Sequence, residues 1–348
     1  MTADDALLNR ARSGDADAFT GLVGPHRREL HVHCYRMLGS FDDADDAVQE
    51  TLLAAWRGLT TFQARASVRT WLYRVATNTC LNLVRAASRR PQMTEPLPAT
   101  APAPTGSEKV TWLQPYPDTL LDALPGDAPG PDACVEQNEA VSLAFITALQ
   151  LLSPRARAVL ILRDVLGFSA REVAGTLGST EDAVAMTLSR ARTSLRDKPH
   201  RPLRSPARAT TAAEATLVRR LAAAFTAHDV EEVVSLLAAE VRIAMPPLPA
   251  VWEGRRRAAE FLAEVAFRLV PEARFIQTYA NRQPALAVYT RDEANGLWRG
   301  SGLLVITLHG DQVAALTRFE SHTLRAFGLP RPAGRRFRDR CIRHSLTT

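Results

Sequence analysis

Cysteine is scarce in this chain: four in 348 residues, at positions 34, 80, 134 and 341. None forms a CxxC pair, so the spacing supports neither a disulfide framework nor a zinc ribbon, and reduced thiols are expected. No apolar run approaches the roughly 20 residues that cross a bilayer. The start, Met1-Thr2-Ala3-Asp4-Asp5, lacks the basic and then apolar layout of a signal peptide. A cytoplasmic protein without membrane insertion is the expectation. Charge of one sign is also missing: 43 Lys and Arg stand against 37 Asp and Glu, so the placement of charge says more than its sum. What remains, 46% apolar and 23% charged residues, is ordinary for a globular chain and excludes a wholly disordered or collagen-like one. The length predicts two or three compact units.

Residues 92–140 carry one basic group against eight acidic ones, and ten prolines fall between 91 and 131. That composition reads as an extended acidic linker, 92–137, rather than a folded unit. Its string VTWLQPYPDTLLDALP, with Trp112 and Tyr116, is more apolar than a free tether needs and suggests docking. Prolines 199, 202 and 206 among arginines mark a second linker, 199–210. The modules to be explained are therefore 1–91, 138–198 and 211–330, with an Arg-rich tail at 331–348. Apolar residues recur at spacings of three and four in the first two, which reads as helix. The third opens with helices at about 211–227, 230–238 and 255–268. It then turns to strand-like stretches, 275–279, 285–289, 303–308 and 313–319, with Gly310-Asp311 as a hairpin signal.

The strongest local pattern is FSAREVAGTLGSTEDAVAMTLSRARTSLR, 168–196. Ser169 and Glu172 form a capping box, Gly178 supplies a turn, and Ser179 or Thr180 caps a second helix, which together predict a helix-turn-helix. At 100° per residue, Val184, Leu188, Ala191 and Leu195 share one side of that helix. Asp182, Ala185, Met186, Ser189, Thr193 and Arg196 share the other, flanked by Arg190 and Arg192. Small, polar and Arg side chains opposite a buried stripe suit the major groove. In DDADDAVQETLLAAWR, 42–57, one face carries Asp46, Gln49, Glu50 and an exposed Leu53, which suits a basic protein partner better than DNA. Downstream, FQARASVRTWLYRVATNTCLNLVRAASRR interleaves arginines with aromatics. Arg65, Arg69, Trp71, Arg74, Asn78 and Arg85 are its candidates for melted-strand contact, where unstacked bases need platforms and pockets. His26, His31, His33 and Cys34 point in different directions on a helix and are not expected to converge on a metal.

In their order along the chain these motifs resemble the extracytoplasmic-function (ECF) group of bacterial sigma factors. DADDAVQETLLAAW is similar to that group's polymerase-binding helix, SVRTWLYRVATNTCLN to its helix and loop for the minus-ten element, and LSPRARAVLILRDVLGFSAREVAGTLGSTEDAVAMTLSRAR to its minus-thirty-five helix-turn-helix. The resemblance implies core RNA polymerase and promoter DNA as partners. Asp46, Gln49, Glu50 and Leu53 would then face the polymerase. Thr180, Asp182, Ala185, Met186, Ser189, Arg190, Arg192 and Thr193 would meet the minus-thirty-five duplex, and the 65–85 set the minus-ten strand. Ala185 and Met186 stand where relatives often carry polar residues, which bears on which bases are read.

Residues 211–330, with MPPLPAVWEGRRRAAEFL and GLLVITLHGDQVAALTRF, resemble the SnoaL-like domains, cone-shaped α+β folds with an internal pocket. The expected fold class is thus multidomain: two all-α helical domains, the second a helix-turn-helix, followed by an α+β cone-shaped SnoaL-like domain. The expected function is promoter-directed transcription initiation without a cofactor, modulated in cis by the SnoaL-like domain, with a separate anti-sigma protein as a further candidate partner. One alternative is a DNA-targeted enzyme acting on a small molecule in the C-terminal pocket, with His228, Asp229, His309, Asp311, Glu320 and His322 as acid–base candidates. Another is a repressor using the helix-turn-helix alone. Neither alternative needs an acidic partner face and a melted-strand surface together.

Overall fold

The computed structural model of the chain describes residues 3–62, 66–87, 98–110, 112–122, 140–196, 212–270, 272–292 and 294–329. Arg65, the second linker and the Arg-rich tail lie outside the described residues. Those described fall into two units. One gathers 3–87 with 146–196, the other 98–122 with 140–145 and 212–329.

The first unit is helical, and its turns follow from local chemistry. Helices α1 (Ala3–Arg12) and α2 (Ala16–Val23) are separated by Asp15, whose carboxylate accepts the Ala18 N–H at 2.9 Å and caps α2. Helix α3 (Arg27–Leu38) ends at Gly39, whose φ of 75° is the left-handed conformation that glycine adopts without a steric cost. Ser40 then caps α4 (Phe41–Gly58), and Asp42 and Asp43 lie in the first turn, where acidic groups suit the helix dipole. Ala44, Ala47, Val48, Thr51 and Ala55 form the buried stripe of α4. Leu72, Tyr73, Ala76, Thr77 and Cys80 do the same on α5 (Val68–Ala87).

After β1 (Gly106–Ser107) and α6 (Asp118–Leu121), both in the second unit, come α7 (Leu143–Gln150) and α8 (Pro154–Leu160). The predicted helix-turn-helix follows as α9 (Ala170–Leu177) and α10 (Glu181–Arg196). Both halves of the Ser169–Glu172 capping box are made, Gly178 is left-handed, and Thr180 Oγ1 accepts the Ala183 N–H at 3.2 Å.

The two helical halves of this unit meet at the end of α3. The last carbonyls of a helix have no intrahelical donor and favour a cation. Arg157 of α8 supplies one: its guanidinium donates to Met37 O, Gln150 Oε1, Leu149 O (2.9 Å), Gln150 O (3.1 Å) and Leu152 O (3.3 Å). All five guanidinium N–H groups are thereby used. Gln150 Nε2 adds a bond to Arg36 O at 3.1 Å. A Cβ on Gly39 would lie 2.9 Å from Gln150 Cδ, so glycine is required there for this approach as well as for the turn.

The second unit is α+β. Helices α11 (Ala212–Ala227), α12 (Val230–Leu236) and α13 (Arg255–Phe261, continuing through a π-turn to Leu269) share one apolar core with a seven-stranded sheet. The strands after β1 are β2 (Leu237–Met245), β3 (Leu248–Glu253), β4 (Ala273–Ala280), β5 (Gln283–Arg291), β6 (Trp298–His309) and β7 (Gln312–Glu320). Their order is β1-β3-β2-β7-β6-β5-β4, antiparallel except for β2 beside β7. Gly310, at φ 62°, turns β6 into β7 where the hairpin was expected. Strands β2 and β3 were not foreseen. LAAEVRIAM runs straight on from α12 and is rich in helix-forming Ala and Glu; strand pairing on both sides overrides that propensity.

The reading of 92–137 as an extended linker needs correction over 98–122, which is part of the second unit. Gly106 and Ser107 pair with Val251 and Ala250, so β1 covers the free edge of β3. Trp252 Nε1 donates to Pro102 O at 2.9 Å and Thr105 N to Val251 O at 2.8 Å. Further on, Tyr116 and Asn281 exchange two bonds: Tyr116 N–H to Asn281 Oδ1 at 2.8 Å and Asn281 N–H to Tyr116 O at 2.9 Å. Val110, Leu113, Tyr116 and Leu121 are buried. The apolar character that suggested docking is used here, on this chain's own sheet. Asn281 Nδ2 also donates to Val141 O at 2.6 Å, which ties the stretch before α7 to this unit.

Candidate nucleic-acid and polymerase interface

Three exposed strips on the first unit carry the candidate residues. On α4, Asp46, Gln49, Glu50 and Leu53 all face solvent. Leu53 is 56% exposed, an apolar spot inside an acidic strip. Gln49 Nε2 donates to Asp45 Oδ2 at 3.2 Å, so the amide is oriented along the helix rather than across it.

On α5 the exposed face reduces to Arg74, Asn78 and Arg85, with Arg85 donating to Asn82 at 3.1 Å. Arg69 and Trp71 do not join it. Arg69 Nε donates to Glu29 Oε2 at 2.9 Å, and its guanidinium lies 4.9 Å from the centre of the Tyr73 ring. Tyr73 OH donates to the same Glu29 oxygen at 3.1 Å; burial first, and Glu29 next, push its pKa up. Trp71 stacks on Phe62, ring centres 4.6 Å apart. Tyr73 is therefore buried and Trp71 half-buried, while Arg69, its side chain 43% exposed, is tied to Glu29.

On α10, Val184, Leu188 and Ala191 are buried, while Asp182, Ala185, Met186, Ser189, Arg190 and Thr193 are exposed, as is Thr180 at the cap. Met186 is 56% exposed. The two arginines differ. Arg192 is held bidentately by Asp164, at 2.9 and 2.7 Å. Arg190 has no ion pair among the described residues and is available to a ligand, as is the exposed Arg196 at the end of α10.

The sequence reading missed Arg157 and Gln150. The signal was present: Arg157 lies three and four residues before Leu160 and Ile161, on an otherwise apolar stripe, and a charge there calls for buried acceptors. Burial lowers the Arg157 pKa to about 10. The histidines of the first domain are packing residues. His33 is fully buried against Thr77 Oγ1 at 3.0 Å, with its pKa lowered by burial to about 3; His31 is lowered, for the same reason, to about 4.

The acid–base candidates of the second unit are scattered. Asp229 caps α12 through the Glu232 N–H at 2.9 Å, and His309 and Asp311 are exposed at the β6–β7 hairpin. His228 Nε2 lies 3.1 Å from Val270 O, and His322 Nδ1 lies 3.4 Å from Glu320.

Comparison with known proteins places these strips. Residues 22–90 match the model of sigma-70 region 2, and 142–195 that of sigma-70 region 4. The chain is 41% identical to the ECF RNA polymerase sigma factor SigG of Mycobacterium tuberculosis over 92% of its own length and 85% of the relative's. It is 30% identical to SigM of the same organism over 56% and 83%. Its fold matches the crystal structure of the M. tuberculosis extracytoplasmic function sigma factor SigJ with a TM-score of 0.56, covering 87% of this chain and 97% of that one at 24% identity. Two sigma regions in order, an acidic strip with an exposed leucine on the first and a helix-turn-helix on the second, and a relative this similar along nearly the whole chain lead to one conclusion: the chain belongs to the ECF RNA polymerase sigma factors, which direct the polymerase to promoters in transcription initiation.

Proposed function

We propose that Asp46, Gln49, Glu50 and Leu53 dock the chain on core polymerase, that Arg74, Asn78 and Arg85 meet the minus-ten strand, and that the exposed face of α10, with Arg190 as a free cation near its middle, reads the minus-thirty-five duplex. The SnoaL-like domain regulates in cis, by holding the segment that joins the two DNA-reading domains. The observation that carries this regulatory reading is the pairing of Gly106 and Ser107 with Val251 and Ala250: part of the connecting segment is a strand of the C-terminal sheet. A segment held there reaches less far between regions 2 and 4 than a free one, so its release changes how the chain can lie along a promoter.

The face of α4 is tested by Leu53→Glu, which removes the apolar centre without touching the buried stripe. The folded variant is expected to bind core polymerase at least tenfold more weakly, and wild-type capture in a pull-down would count against the face. Regulation is tested by locking the strand pair. Ser107 and Ala250 are register partners, at the separation that suits a disulfide. In the Ser107→Cys/Ala250→Cys chain, run-off transcription with purified core polymerase is expected to differ between the oxidised and reduced forms. Equal output from both, with the bond confirmed by mass, removes the proposed role of the strand.

A further inference from the structure

Between the helices and the sheet of the C-terminal domain is a cavity of about 280 Å³, close to the lower end of the roughly 300–1,000 Å³ typical of small-molecule sites. Ile243, Phe261, Val265, Phe275, Leu304 and Leu316 make most of its wall apolar. Liquid water occupies about 30 Å³ per molecule, so the space takes on the order of ten close-packed non-hydrogen atoms.

Three polar side chains interrupt the wall: His228, Arg318 and Glu320. His228 directs Nε2 at the Val270 carbonyl, 3.1 Å away. Glu320, exposed at the rim, lies beside His322 Nδ1 at 3.4 Å. Arg318 differs from both. Strand alternation puts it on the face of β7 that also carries Leu316, toward the core. Its Nη2 donates to Ser301 O at 3.1 Å and Ser301 Oγ at 2.8 Å, while Nε and Nη1 have no partner among the described residues, and no carboxylate lies within 4.0 Å. Burial lowers its pKa, with the charge of Glu320 opposing. The neighbouring strand leaves room for the group: a Cβ on Gly302 would lie 3.6 Å from Arg318 Cζ and would collide with the Phe319 carbonyl oxygen.

A half-buried guanidinium without a counter-ion facing an apolar cavity favours an anion there, and its two unpartnered N–H groups in one plane match the two oxygens of a carboxylate. We propose that this cavity binds an apolar monocarboxylic acid of about ten non-hydrogen atoms, with its hydrocarbon among Phe261, Leu304 and Leu316 and its carboxylate on Nε and Nη1 of Arg318. The site goes beyond the promoter-directing role and does not depend on it. Pro98, in the segment held by this unit, also lines the cavity, so a bound acid touches the chain that joins the DNA-reading domains.

Calorimetry on the full chain with octanoate, 1-octanol and octylamine tests the assignment. Octanoate is expected to bind at least tenfold more tightly than the alcohol, and the amine more weakly than both. Arg318→Met should bring octanoate down to the level of the alcohol while leaving the alcohol unchanged, and Leu304→Trp, which fills the cavity, should abolish binding of both. The wild-type comparison needs no variant to fold. Equal affinity for octanoate and octanol, no saturable octanoate binding, or undiminished binding to folded Leu304→Trp would each overturn the proposal.

Discussion

Region 2 meets region 4 through one guanidinium and one amide on the last carbonyls of α3 and one edge-to-face ring contact, Tyr73 on Phe168 at 5.5 Å, whereas the segment between those regions meets the C-terminal sheet through a strand pairing and four buried apolar side chains. Water can take over carbonyls and a guanidinium when they part, so each such bond contributes only about 0.5–3 kcal/mol net. Each buried apolar side chain contributes about 1.5–3 kcal/mol that water cannot replace. The two joints are therefore built for different lifetimes. The first, mostly polar with a single ring contact, is the easier of the two to open, and the second, with four buried apolar side chains, the harder.

The most severe way to break this contrast is Tyr116→Ala. It removes the largest buried side chain of the held segment, and about 3–5 kcal/mol should be lost from the C-terminal unit in denaturant unfolding. Limited proteolysis should then cut within 98–122. Next, Arg157→Met should cost the first unit about 1.5–3 kcal/mol, because a charged group's bonds are lost and carbonyls are left to water. Four of its five bonds lie within region 4 and only the one to Met37 O crosses to region 2, so the loss falls on region 4 as well as on the joint; transcription by the folded Arg157→Met chain should survive, and its loss would count against the Arg157–Met37 contact as a joint that opens.

Acid should act on the first unit in a defined direction. His33 has its pKa lowered to about 3 in the folded chain, against about 6.5 unfolded. The unfolded state therefore takes up the proton first, and the stability that neutral His33 contributes is complete above pH 6.5 and falls as pH drops toward 3. At pH 5 the loss is about 2 kcal/mol, read as a lower unfolding midpoint of the first unit. A His33→Gln chain should lose that share of the acid dependence and keep the share from His31, whose pKa burial lowers to about 4. The smallest effects separate two neighbouring arginines. Arg190→Ala should cost about 1–3 kcal/mol in promoter binding and do so selectively for sequence. Arg192→Ala should cost under about 1 kcal/mol, since its exposed partner Asp164 already holds it.

Much of this was legible locally. The capping box at Ser169 and Glu172, Gly178, and the 184–188–191 stripe lie within one stretch of sequence, and the acidic strip of α4 is one face of one helix. What was not legible depends on distant partners. Prolines and acidic residues made 98–122 look like a tether because the strand that pairs with it begins near 248. Strand β2 reads as helix until β3 and β7 flank it. Arg157 looks like one more arginine of a basic helix, since Met37 O is 120 residues away. Arg69 and Trp71 share the composition of a nucleic-acid surface, and only the positions of Glu29 and Phe62 show that each is held by a partner within the domain.

The contrast between the two joints is tested most directly by a distance. Thr20 and Gly175 are exposed on the two halves of the first unit and can be labelled as cysteines, with Cys134 and Cys341 changed to serine. In the free chain the account predicts one short separation. Minus-ten and minus-thirty-five elements are about 25 base pairs apart, or about 85 Å of duplex at 3.4 Å per pair. In a transcribing complex with core polymerase and promoter, the label separation should therefore grow by tens of ångströms. An unchanged distance in a complex that still makes transcript would contradict the reading of Arg157 as the joint that opens.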